Sequence, residues 1–95
     1  MEFEWDTNKN EVNIKKHGIS FEEAQLVFDD PLNLSKLEKE YDFFEERWIT
    51  IGTTTDKKII VVAHLYFIDN REEVIRIISA RRPTTKERKY YETYE

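Results

Sequence analysis

Apolar and polar residues follow two rhythms along this chain, and the change of rhythm marks its elements. Phe3-Glu4-Trp5 alternates residue by residue, the period of a strand. Asp6 stands where a helix N-cap belongs and Gly18 where a left-handed C-cap belongs, which predicts a helix running to about Lys16. Its few apolar residues, mainly Val12 and Ile14, put it on the surface. Ser20-Phe21-Glu22-Glu23 reads as a capping box. Phe21, Ala24, Val27 and Phe28 then recur at helical spacing, giving a second helix with one buried stripe. Asp30-Pro31 ends it, because the residue before a proline avoids the helical region. Leu32, Leu34 and Leu37 mark a short edge strand, and Glu38 to Glu46 reads as an acidic loop anchored by Tyr41, Phe43 and Phe44.

Three strands are expected next, over roughly Arg47 to Thr53, Lys58 to Phe67 and Glu73 to Arg81. Turns at Thr55-Asp56-Lys57 and Asp69-Asn70-Arg71 join them. Ile60-Val61-Val62-Ala63 is apolar on both faces, so its strand belongs in the middle of the sheet with cover on both sides. Short connections make these neighbours antiparallel. Pro83 breaks the last strand, and Thr84-Thr85-Lys86-Glu87 is a second capping box, opening a terminal helix on which Tyr91 and Tyr94 share a face. The order β-α-α-β-β-β-β-α predicts an α+β fold with helices packed on an antiparallel sheet.

At 95 residues, one domain spanning 1–95 is expected. The absence of cysteine removes disulfide and thiolate chemistry and suits a reducing compartment. No basic-then-apolar leader opens the chain, and no apolar run is long enough for a membrane helix, so the expectation is a soluble cytoplasmic protein without a membrane partner. The net charge of −5 argues weakly against nucleic acid, but its distribution matters more. Residues 20–46 hold nine acids against two bases, whereas residues 81–89 hold five bases against one acid. Lys9, Lys15 and Lys16 form a second basic cluster beside His17.

No phosphate-binding loop, zinc motif or serine elbow is present, and two histidines offer no metal-ligand spacing; no metal or cofactor is expected. Arg76 is the most informative position, a cation inside the apolar run Val74 to Ile78. A buried charge needs a partner or a cleft. Arg76 therefore either forms an internal salt bridge, with Glu45 or Glu46 as partner, or aims its guanidinium at a phosphate. Arg81 and Arg82 end the same strand, either as solvated charges or as site residues. Alternation puts Arg76 and Arg81 on opposite faces unless a bulge intervenes. His64 reads as a core histidine or a proton-transfer group, and His17 as a helix cap or a second such group. Glu46 is a surface charge or a general base. Phe3, Trp5 and Trp48 read as core.

The string also resembles a known family. Phe3-Glu4-Trp5-Asp6, Lys16-His17-Gly18-Ile19-Ser20-Phe21-Glu22-Glu23-Ala24, Glu45-Glu46-Arg47-Trp48 and Ile75-Arg76-Ile77-Ile78-Ser79-Ala80-Arg81-Arg82 look like the opening, middle and end of the BrnT toxins. The resemblance covers nearly the whole chain in order. It implies a RelE-like fold and a ribonuclease toxin that arrests growth. It also implies a BrnA-like ribbon-helix-helix antitoxin, and contact with operator DNA only through that antitoxin. Metal-free RNA cleavage would use Arg76 and Arg81 on the phosphate, with His64, Glu46 or His17 moving protons. Lys15, Lys16, Arg82 and Arg88 would hold the RNA. Tyr41 and Phe67 stand where many relatives carry His and Arg, which keeps open a rival reading as a partner-binding co-repressor that does not cleave.

Overall fold

A computed structural model describes residues 1–40 and 45–93. Tyr41, Phe43, Phe44 and Tyr94 lie outside the described residues. The elements are β1 (Glu2–Glu4), α1 (Thr7–His17), α2 (Phe21–Gln25) running into a 3-10 turn (Leu26–Asp29), β2 (Leu34–Glu40), β3 (Glu45–Thr53), β4 (Ile59–Asp69), β5 (Glu72–Arg81) and α3 (Thr85–Thr93). The five strands form one sheet in the order β1-β5-β4-β3-β2.

The order of elements follows the sequence reading, with two corrections. The sheet is mixed, not antiparallel: β1 pairs in parallel with β5, Phe3 opposite Ile75 and Glu4 opposite Arg76. The meander itself is antiparallel, as its short turns require, but β1 enters from the far end of the chain, so no turn dictates its direction. The acidic stretch is not simply a loop, since Glu38 and Glu40 belong to β2 and Glu45 and Glu46 to β3. The sequence registered their charge but not their pairing across the edge of the sheet.

The caps form as the residue types dictate. Asp6 accepts a hydrogen bond from the Lys9 N–H, and Gly18 closes α1 at φ 69°. Ser20 accepts from the Glu23 N–H. Thr84 accepts from the Glu87 N–H, while the Glu87 carboxylate accepts from the Thr84 N–H. Asn70 and Arg71, at φ 52° and 67°, make the two-residue turn between β4 and β5 whose twist suits a hairpin.

The core lies on one side of the sheet. Ile19, Phe21, Ala24 and Val27 of the α2 segment meet Ile60 and Val62 of β4 and Ile75, Ile77 and Ala80 of β5, with Phe3, Trp5 and Phe28 packed around them. Gly52 permits this approach, because a Cβ there would lie 2.8 Å from Val27 Cγ1 and 3.1 Å from the Val27 carbonyl oxygen. β4 is central as expected, yet its second face is covered only in part: Val61 is buried, whereas Leu65 and Phe67 are half-buried.

α1 is held by polar residues. Val12 and Ile14, its apolar members, are exposed, while Asn10 and Asn13 are buried. The Asn13 amide donates to the carbonyls of Ile19 and Ala80 and accepts from the Ala80 N–H. It thus acts as a strand partner for β5 beyond the end of β1, satisfying an edge that would otherwise be bare. Asn10 accepts from the Phe21 N–H and donates to Glu22, fixing α1 to the start of α2.

Candidate functional site

The two faces of the sheet divide the candidate residues. A bulge between β4 and β5 decides this division. Ala63 pairs with Ser79 and His64 with Ile77, leaving Ile78 unpaired. Val61 and Leu65 share a face of β4, and their partners are Arg81 and Arg76. The bulge therefore puts Arg76 and Arg81 on the same face, which strict alternation would have forbidden.

This face, opposite the core, carries a row of paired positions across all five strands: Lys39, Arg47, Leu65, Arg76 and Glu4. Arg47 and Arg76 thus stand two strands apart, about 10 Å at ordinary strand spacing. Arg76 is not the buried charge that its apolar neighbours suggested. Its side chain is 41% exposed, and its salt bridge is to Glu4 at 2.6 Å, not to Glu45 or Glu46. Arg81 is gripped by both oxygens of Glu87, at 2.8 and 2.9 Å. That hydrogen-bonded pairing raises the Arg81 pKa and holds the Glu87 carboxyl down at about 2. Glu38 Oε1 lies 2.9 Å from Arg47 Nε, close enough for an ion pair although the N–H is not aligned on it.

A groove of about 300 Å³ runs between α1 and β5, lined by Asn8, Lys9, Val12, Lys16 and His17 from the helix and by Ile78 and Ser79 from the strand. Helical spacing explains the set: Lys9, Val12 and Lys16 recur at three and four residues, one stripe of α1. His17, the last residue of α1, is both a helix end and a wall of the groove. Ser79 pairs with Ala63 and so sits between Arg76 and Arg81 along β5, on their face. The groove and the arginine face are thus contiguous, and no acid among the described residues lines the groove. Lys15 does not line it. Arg82 is exposed beyond the strand end, and Arg88 pairs with Glu92 along α3.

His64 and Glu46 lie on the other face, in a cleft of about 260 Å³ with Phe28, Ser35, Trp48, Tyr66 and Ile75. His64 is only 4% exposed. Its Nε2 shares a 2.8 Å hydrogen bond with the Thr50 hydroxyl, which in turn bonds Ser35. Its Nδ1 is buried without a hydrogen-bond partner among the described residues. Burial pushes the imidazole down to about 4, against a smaller opposite effect from the Leu65 backbone. Phe28 stacks edge-on to the ring at 4.9 Å. Trp48 donates to Glu46, so it walls this cleft rather than filling the core. The structure therefore brings His17, Lys16, Arg76 and Arg81 to one surface and keeps His64 and Glu46 away from it.

Arg47 was missed by the sequence reading. Its parity with Ile49 and Ile51 was visible, but its alignment with Arg76 exists only through the register of β3, β4 and β5. Among the described residues, no group of three or more His, Asp or Glu side chains could hold a metal ion. No helix among them is long and apolar enough to cross a membrane.

Fold and site together define an α+β protein with part-exposed arginines on the sheet face opposite the core and a cationic groove beside them, an arrangement suited to phosphate groups. Residues 5–87 match the family model of BrnT, the ribonuclease toxin of a type II toxin-antitoxin system, and the chain belongs to that family. Membership implies an antitoxin as its partner. No curated protein matches the chain.

Proposed function

We propose that the chain is an active, metal-independent endoribonuclease of RelE-like fold, that it works in the cytoplasm, and that its cleavage site is the arginine face with its groove. The observation that carries this reading is the bulge at Ile78, which sets Arg76 and Arg81 on one face beside His17 and Lys16. In the reaction, a ribose 2′-oxygen attacks the adjacent phosphorus and forms a cyclic phosphate. The bond to the 5′-oxygen breaks. A base takes the 2′ proton and an acid delivers one to the departing oxygen. Arg76 and Arg81 would stabilise the charge that builds on the phosphoryl oxygens, and His17 would move a proton. Lys9 and Lys16 would hold neighbouring phosphates, with Arg82 and Arg88 beyond them. A BrnA-like ribbon-helix-helix antitoxin would neutralise the toxin, and operator DNA would be met only through it.

Cleavage of a single-stranded RNA by purified chain tests this, alongside growth after expression without antitoxin. Arg76→Ala should slow cleavage by about a hundredfold without unfolding the protein. Undiminished cleavage by folded Arg76→Ala and His17→Ala variants would remove the site from this face. A second reading, a co-repressor that does not cleave, is favoured by the carboxylates already seated on Arg76 and Arg81. Intact RNA and unimpaired growth with folded wild type would establish it instead.

A further inference from the structure

Each of the three arginines on this partly covered face is held by an acid from a different element: Arg76 by Glu4 of β1, Arg47 by Glu38 of β2, Arg81 by Glu87 of α3. Glu87 also caps α3 and so has a structural duty. Among the described residues Glu4 and Glu38 make no other hydrogen bond or ion pair, and they are 44% and 42% exposed. Glu38 is the extra residue where the pairing of β2 with β3 shifts register, between Leu37 and Lys39.

We infer that Glu4 and Glu38 are specificity-determining residues that compete with RNA phosphate for Arg76 and Arg47, so that the face accepts a chain of phosphates anchored in the groove and rejects single anions. This rests on the RNA-binding reading above. A carboxylate tethered beside a guanidinium is present at high effective concentration, so a free anion at ordinary concentration displaces it poorly. A strand whose first phosphate lies against Lys9 and Lys16 brings its next phosphates to the arginines under the same tethering advantage. Displacement is easy enough for the face to remain usable, because the Arg76–Glu4 pair is exposed and therefore weak, and the Arg47 N–H is not aligned on Glu38. An acidic protein segment gains little here, since it exchanges one carboxylate for another.

The test is binding of a short 2′-O-methyl oligoribonucleotide, which cannot be cleaved, by fluorescence anisotropy at low salt. Glu4→Gln and Glu38→Gln should each tighten binding about two- to fivefold. The double variant should show roughly the product, and inorganic phosphate should compete better against it than against wild type. Glu72→Gln, which removes an exposed acid that makes no ion pair among the described residues, controls for net charge. An equal gain from Glu72→Gln, or unchanged or weaker binding by folded Glu4→Gln and Glu38→Gln, would overturn the inference. If Arg76→Ala leaves oligonucleotide affinity unchanged, the RNA-binding reading itself falls and this inference with it.

Discussion

Acid should destabilise this protein first through one side chain, His64. The imidazole is 4% exposed, packed against Phe28 and tied to Thr50, and burial lowers it to about 4 from an ordinary value of 6.5. Between these values the unfolded chain takes up a proton that the native state refuses. The stability that His64 contributes is therefore complete above about pH 6.5 and drains away as the pH falls towards 4. The gap is worth about 3 kcal/mol in the acid limit and about 2 kcal/mol by pH 5. For a chain of this size, 2 kcal/mol corresponds to a fall of about 10 °C in Tm. Asp30 and Glu87 are also held below their ordinary values. Burial works to raise Asp30, but hydrogen bonds from Tyr91 and the N–H groups of Thr53 and Leu32 prevail; Arg81 holds Glu87 down. Both would be lost only at lower pH, and both persist in a His64 variant. Urea unfolding of wild type and His64→Gln at about pH 7 and pH 5 isolates the histidine. Wild type should lose about 2 kcal/mol more than the variant over that interval. Equal losses in the two proteins would refute the reasoning, and would mean that the ring reaches water in the native state.

Three further outcomes are expected. Asn13→Ala removes both partners of Ala80 and one of Ile19, leaving buried backbone groups unpaired, and should cost about 3 kcal/mol in urea unfolding. Gly52→Ala drives a methyl into Val27 and Asn33, and should destabilise by about 1–3 kcal/mol in the same assay, more than an alanine on an exposed strand position would. RNA binding through Lys9, Lys16 and the arginines should show a log–log salt slope of about −2 to −3, measured by anisotropy across salt concentrations; a slope near zero would exclude phosphate contacts.

What the sequence made legible is local. Asp6, Gly18, Ser20 and Thr84 act within a turn or so of themselves, and their caps form where the residue types place them. The apolar run at residues 60–62 announced a central strand for the same reason. What escaped was set by pairing between distant segments. In Val74 to Ile78 nothing shows which residue is surplus to the ladder; only the register against β4 identifies Ile78. The direction of β1 and the partner of Arg76 follow from β1 lying beside β5, a contact that no periodicity encodes. Asn13 looked like one polar helix residue among many, and only its meeting with Ala80 makes it structural. The site was legible as residue types but not as a set. His64 and Arg76 sat in adjoining strands, and one unpaired residue decided that Arg81, not His64, shares the face of Arg76.

The division of the sheet into two faces also governs how substitutions should be read. On the core face, His64, Gly52 and Val27 are packed so closely that any change there is felt first as folding free energy, and a loss of cleavage would say little about chemistry. On the other face Arg76 is partly solvated and its ion pair with Glu4 exposed, so its removal should leave stability within about 1 kcal/mol, whereas Arg47 buries its Nε. Arg81 belongs to both categories. Its partner Glu87 caps α3, and α3 is seated by Tyr91, which bonds Asp30 and Thr53 at the end of the sheet. Arg81→Ala would therefore loosen the helix as well as remove a guanidinium, and Arg81→Lys would keep the charge while losing the fork that grips both Glu87 oxygens. The clean measure of phosphate stabilisation on this face is Arg76→Ala. The effect of Arg81 has to be taken as the part of its rate loss that remains once its own unfolding free energy has been measured.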